Sequence, residues 1–365
     1  MTRNIQARFS DVRDEIVSAF SELLPPQDDW VSINLNPTMQ RIICRASNRF
    51  FLGLPICRDP DFIDLNVNYT MQVVLSAQFI GLFPQFLKPI VGNLLTPLRS
   101  SLKRAKRHLV PVIQERFDKE KEFGTADWPG KPNDMLSWLL AVATGDRRTM
   151  HDLVLKIMLV NFGAIHTTSM TLTNALNYLT LYPEYIPDLR EEIESITDEY
   201  GWTKLAMGRM RKLDSFLKET QRHNPAGCFG VERKVLKDFT FSDGATVPAG
   251  TNVGIPVMAI QRDDAYFPDA DKFIGFRFAD MREGEGEVTK HQMVTPTSDF
   301  FIFGQGRHAC PGRFFAVNEL KALVAHILLT YDIKAETPGG AQIKWFGIHA
   351  AQDNGARFLF RKRSA

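Results

Sequence analysis

The stretch that decides the reading is Phe303-Gly-Gln-Gly-Arg-His-Ala-Cys-Pro-Gly-Arg-Phe-Phe315. Glycines at 304, 306 and 312 let the backbone approach a flat object closely, and a single cysteine, Cys310, ends the loop just before a helix start. A thiol so placed is favoured as thiolate by the helix N-terminus, and neighbouring amides can donate to its sulfur. The result is a soft anionic ligand on a tight loop. Among iron sites, one cysteinate acting as axial ligand is a haem arrangement. The plain alternative is a buried free cysteine at a helix end.

Outward from this loop, 314–329 recovers helical spacing through Val317, Leu320, Val324, Ile327 and Leu328, and the tail over 333–362 alternates as strands do. Upstream, the acidic, glycine-bearing 281–287 reads as solvated loop. Residues 239–247 alternate around an Asp243-Gly244 turn, and a second turn at Pro248-Ala-Gly250 leads into a strand over 251–256. From the N-terminus to about Tyr200 the apolar spacing is helical, broken by a Gly-, Pro- and Asp-rich loop over 123–134. A long helix over 150–181 ends at Tyr182-Pro183, and helices over 186–200 and 210–223 follow. No internal repeat is evident.

Composition excludes several classes. The chain has 365 residues, 44 Lys+Arg against 42 Asp+Glu, 44% hydrophobic and 24% charged residues. Those values exclude disorder, collagen and coiled coil and predict a large buried core. Cys44, Cys57, Cys228 and Cys310 lie far apart with no CxxC pair, against a zinc cluster or a disulfide scaffold and in favour of a reducing compartment. The balanced charge gives no electrostatic case for nucleic acid. The N-terminus has no signal-peptide layout. The most apolar stretch, 71–98, is interrupted by Gln72, Gln78, Pro84, Gln85, Lys88 and Pro89, so it cannot span a bilayer as one helix. It reads either as two core helices joined at Pro84 or as a surface-seeking hairpin that dips into lipid.

The cysteine loop resembles the haem-binding signature of the cytochrome P-450 superfamily, Phe-x-x-Gly-x-Arg-x-Cys-x-Gly. Matches fall on Phe303, Gly306, Cys310 and Gly312; His308 stands where the arginine is expected, with Arg307 just before it. The resemblance implies haem b with Cys310 as iron ligand, Phe303 beside the sulfur and His308 donating to a propionate. Glu219-Thr-Gln-Arg222, followed by Pro225, resembles the superfamily's Glu-x-x-Arg, and Arg277 in Phe273-Ile-Gly-Phe-Arg-Phe278 is similar to the third member of that buried network. Spacing alone would give only an exposed helical ion pair worth about 0.5 kcal/mol. A third match is Gly163-Ala-Ile-His-Thr-Thr168, where the family opens its long helix over the iron. Thr167 takes the threonine role, Thr168 flanks it, and His166 replaces the usual acid, either as a proton relay or as packing. The plain reading is a mid-helix threonine bonded to its own preceding carbonyl. Arg233 stands where a second propionate-binding arginine is placed, or is a surface charge, and Phe229, Gly230 and Val231 would line the substrate pocket.

The resemblance covers essentially the whole chain and implies a mainly α fold with small β-sheets. It implies one haem-thiolate catalytic domain over 1–365, helix-rich over 1–235 and carrying small β elements, the cysteine loop and its helix over 236–365. Haem would sit between the long helix and the Cys310 loop. The implied reaction is a monooxygenation: O2 and two electrons from an NADPH-cytochrome reductase partner oxidise a hydrophobic small molecule. The phrasing is most similar to fungal microsomal members that oxidise terpenoids or other secondary metabolites. That points to the endoplasmic reticulum membrane surface; with no transmembrane anchor in the chain, peripheral membrane contact or a cytoplasmic location is expected. Against the family pattern the chain reads as N-terminally incomplete, lacking anchor, first strands and first helices, with a bare sheet edge around 251–256. The competing readings are a truncated, non-catalytic haem-binding remnant and a haem-thiolate isomerase or dehydratase, against which Thr167 speaks.

Overall fold

Capping residues mark where helices begin. In the computed structural model, which describes residues 4–364, the Asp59 carboxylate accepts from Phe62 N at 2.9 Å with Pro60 at the first helical position. Asp134 likewise accepts from Ser137 N at 2.9 Å. The elements run α1 (Ile5–Leu23), β1 (Val31–Asn34), α2 (Leu35–Phe51), α3 (Pro60–Gly81), α4 (Lys88–Leu94), α5 (Leu98–Phe123), α6 (Met135–Val142) and α7 (Met150–Leu181). Next come α8 (Ile186–Tyr200), α9 (Lys204–Arg209), α10 (Arg211–His223), β2 (Gly230–Lys234), β3 (Phe239–Thr240), β4 (Thr246–Val247) and β5 (Asn252–Ile255). The chain closes with α11 (Val257–Ile260), α12 (Arg277–Asp280), α13 (Arg313–Thr330), β6 (Tyr331–Ala335), β7 (Lys344–Phe346), β8 (His349–Ala351) and β9 (Arg357–Lys362). The fold is mainly helical with small sheets, as the sequence leads one to expect.

The chain divides into two compact units. The first holds residues up to 27, 37–169 and 202–204. Its α1, α2 and the turn after α2 are joined by a buried ion cluster: Glu15, fully buried, pairs with Arg45 at 2.7 Å and Arg58 at 2.8 Å. One face of α2 carries a polar ladder at helical spacing. Asn48 Nδ2 donates to Asn161 Oδ1 on α7 at 2.7 Å, and Gln40 approaches His166. Within 71–98 the break at Pro84 falls between α3 and α4 as expected, but the core-helix reading does not hold. Met71, Leu75, Leu82, Phe86, Ile90 and Leu94 are all exposed, Leu82 at 81%.

The second unit holds 28–36, 170–201 and residues from 205 onward. Its largest sheet has the order β1-β9-β6, all antiparallel, with Val31 opposite Phe360 and Tyr331 opposite Lys362. Strands β2 and β5 pair in a two-stranded sheet, β3 and β4 form the hairpin closed at Asp243-Gly244, and β7 pairs with β8. The region before Tyr200 is therefore not wholly helical. Strand β1 is four residues long, and its partners lie at the far end of the chain, a pairing no local pattern reports. Helix α9 and strand β2 are likewise too short to leave a period.

Candidate functional site

The four cysteines sort themselves by surroundings. Cys44 and Cys57 are fully buried, and burial, reinforced by the charge of Glu15, pushes the Cys57 thiol up to about 12, which makes it inert. Cys228 is half-buried with its Sγ 3.9 Å from Met258 Sδ. Cys310 is a free, half-buried thiol on a loop built around it. Its N–H donates to the Phe303 carbonyl at 2.7 Å, and Gly304 N donates to Phe301 O at 2.7 Å. Gly304 and Gly306 adopt φ of 69° and 58°, left-handed backbone that favours glycine, so these two positions set the loop's path. A Cβ on Gly312 would stand 3.9 Å from the Cys310 sulfur. Helix α13 begins at Arg313, three residues on, and Arg313 Nη1 donates to the Cys310 carbonyl at 2.9 Å. The sulfur thus sits at the N-terminal end of an 18-residue helix, the end that favours negative charge. Arg307 and His308 lie exposed on the turn Gly306–His308.

In the same unit, Glu219, Arg222 and Arg277 meet as a buried network rather than an exposed helical pair. Arg222 Nε and Nη2 each donate to Glu219 at 2.8 Å, Arg277 Nε reaches Glu219 Oε1 at 3.2 Å, and the Ile274 N–H adds a bond at 3.0 Å. Glu219 and Arg222 are wholly buried. Burial alone would raise the Glu219 carboxyl, but the hydrogen bonds from Arg222 and His223 and the Arg222 charge overcome it and bring it down to about 2. Arg222 also donates to the Gln261 and Ala270 carbonyls, so this face of α10 pins the segment that runs into α12.

In the first unit, α7 exposes a stripe at four-residue spacing: Leu155, Leu159 at 66%, Gly163 and Thr167. Thr167 Oγ1 donates to the Gly163 carbonyl at 2.6 Å. The helix runs unbroken through 163–168, where the resemblance implies an opening; the back-bonded hydroxyl satisfies that carbonyl without one. Thr168 is buried. His166 points elsewhere. Its Nε2 lies 2.7 Å from the Val67 carbonyl on α3, so that nitrogen is the donor, and Nδ1 faces Gln40 Nε2 at 3.4 Å. Burial lowers its pKa and only partly yields to the Val67 bond, so the ring is neutral at pH 7. With both nitrogens engaged, His166 clasps α7 to α2 and α3.

Arg233 is exposed on β2, donating to the Glu232 carbonyl at 2.7 Å, and with Phe229, Asn252 and Val253 it lines a cleft of about 470 Å³. No residue of the Cys310 loop lines that cleft. Sequence reasoning missed Lys218, the buried neighbour of Glu219, although a lysine four residues after Asp214 on a helix that buries its charges was a readable signal.

These residues fit a haem. A free, half-buried thiol on a glycine-shaped loop would supply the soft iron ligand, and the exposed cationic groups Arg307 and Arg233 would suit acidic side arms. The family model for cytochrome P450 matches residues 1–348. Cytochrome P450 monooxygenase 151 of Postia placenta is 45% identical over all of this chain and 74% of its own length. Cytochrome P450 monooxygenase AN1598 of Emericella nidulans is 37% identical over all of this chain and 69% of its length. Among solved structures, a retinoic acid-bound cyanobacterial CYP120A1 shares the fold with a TM-score of 0.72 at 20% identity, over all of this chain and 76% of that one. The chain therefore belongs to the cytochrome P450 family and is an oxygen-incorporating oxidoreductase, a haem monooxygenase.

Proposed function

We propose that the protein takes electrons from an NADPH-cytochrome reductase and oxidises a hydrophobic small molecule, a terpenoid or other secondary metabolite, with Cys310 Sγ as the axial ligand of haem b. Bound there, haem supplies O2 activation, one oxygen atom going to the substrate and the other, with two electrons and two protons, to water. The chain's own residues do the rest. The Cys310 loop and the start of α13 hold the sulfur in place; Arg307, His308 and Arg233 are the groups for the propionates. Thr167 Oγ1 holds its proton on the Gly163 carbonyl at an exposed position, where water can exchange it, so Thr167 rather than buried Thr168 or clasped His166 is the proton-handling group. Leu155 and Leu159 on the same stripe suit an apolar substrate. The exposed apolar side chains of 71–95 suit peripheral contact with a membrane surface. The activity is assigned to the whole chain, 1–365.

The observation that carries this reading is the free, half-buried Cys310 thiol on its glycine-shaped loop. It is tested by supplying purified protein with haem, reductase, NADPH and isotopically labelled O2 over a panel of cyclic terpenoids. Product carrying one labelled oxygen, dependent on reductase, is expected. Conversion that proceeds without reductase or O2 would return the protein to the isomerase or dehydratase class; haem binding without any product would make it a non-catalytic remnant.

A further inference from the structure

Helix α10 buries more than the carboxylate and arginine of its network. Lys218, one residue before Glu219, is 1% exposed, yet its ammonium forms no direct ion pair among the described residues, feeling Asp214, Asp299 and Glu219 only at longer range. Its one hydrogen bond runs to the His291 carbonyl at 3.3 Å. What it meets instead is aromatic: Nζ lies 4.1 Å from the ring centre of Phe278 and 4.7 Å from that of Phe300. The two rings also meet edge to face at 6.1 Å. Phe278 follows Arg277, the partner of Glu219, so the adjacent residues Lys218 and Glu219 grip the adjacent residues Phe278 and Arg277. Phe300, itself 1% exposed, is the residue from which the chain enters the Cys310 loop.

We propose that Lys218 is a positioning residue of the Cys310 loop: its ammonium, seated between Phe278 and Phe300, fixes the loop's entry against α10 and thereby the sulfur that ligates the iron. The inference rests on the reading of Cys310 as haem ligand. Stability is not the reason for the charge. Burial lowers the lysine to about 8, against the opposing pull of Asp214 and Asp299, while Arg282 adds repulsion and Glu219 attraction. Asp214 is already shared with Lys321 at 2.7 Å, Arg282 at 3.4 Å and the Met293 N–H at 2.9 Å. A lysine depressed in the folded state from 10.5 to about 8 makes the unfolded chain bind more protons between those values. The fold therefore gains stability as pH rises through that window, and the protonated amine is a net cost. What the charge supplies is the cation–π contact, which a neutral amine lacks.

The test compares wild type, Lys218→Met and Lys218→Arg as haem-loaded full chains, by the spectrum of the reduced, carbon-monoxide-bound protein from about pH 6 to about pH 10, and by thermal unfolding of the haem-free chains. The Met variant is expected to unfold no earlier than wild type yet to show roughly tenfold less thiolate-type band relative to displaced haem, the factor that about 1.4 kcal/mol of lost cation–π contact gives. Wild type is expected to lose the band as pH rises through about 8, and the Arg variant to keep it. An undiminished band in the Met variant overturns the inference. Should that variant not fold, superimposable pH profiles of wild type and the Arg variant overturn it as well. Absence of the band in wild type at every pH would instead sink the assignment of Cys310.

Discussion

At the scale of single residues, burial decides which charges matter. Glu219 faces the two buried guanidinium groups of Arg222 and Arg277, so Glu219→Gln strands both in the interior. That is expected to cost about 3–5 kcal/mol in denaturant unfolding; a loss below about 1 kcal/mol would show the network to be solvated. The same carboxyl, held near 2 against an ordinary 4.5, contributes stability that is complete above 4.5 and drains away as pH falls toward 2. Acid unfolding of wild type should therefore steepen in that window, and the Gln variant should lack this component. The cysteines give a second residue-scale prediction. In haem-free protein at about pH 8, iodoacetamide should modify Cys310 while Cys57, near 12, with about one thiol in ten thousand ionised, stays unlabelled. Mass spectrometry reads both, and protection of Cys310 on adding haem is expected.

At the scale of elements, α7 does two jobs on two faces. One face is polar and clasped, with Asn161 held by Asn48 and His166 by Val67; the other exposes Thr167. His166→Phe removes the bond to the Val67 carbonyl and should cost about 1–3 kcal/mol by urea unfolding. Because the histidine is depressed in the folded state, that contribution is present above 6.5 and lost as pH falls below it, so the difference from wild type should shrink in acid. Thr167→Val keeps the shape and removes the hydroxyl. Product formed per NADPH consumed should fall roughly a hundredfold, the low end of what proton transfer supplies, and Thr167→Ser should restore most of it. The bounds of α7, α8 and α13 and the loop between α5 and α6 were legible in the sequence because long periodic helices and Gly/Pro clusters are local signals. Strands β1 and β2 were not, being short and paired across long separations. Neither was the exposure of 71–95, since spacing reports an apolar face without saying what covers it. At the site, the meeting of Glu219, Arg222 and Arg277 was legible from motif and spacing. The orientation of His166 was not, because it depends on a main-chain carbonyl of α3 that no pattern marks.

At the scale of the whole molecule, the proposed chemistry rests on the free, half-buried sulfur of Cys310. The second unit holds the sulfur, the N-terminal end of α13 and the buried Glu219–Arg222–Arg277 network; the first holds the stretch of α7 that exposes the Thr167 hydroxyl. None of these has a catalytic purpose unless the sulfur at 310 ligates the haem iron. The reduced, carbon-monoxide-bound spectrum of the purified, haem-loaded protein is the most direct measurement of that bond. The strongly red-shifted Soret band of thiolate ligation is predicted in wild type, together with its loss in Cys310→Ala. A wild-type band at the position of histidine-ligated haem, or a thiolate band that persists in Cys310→Ala, would contradict it.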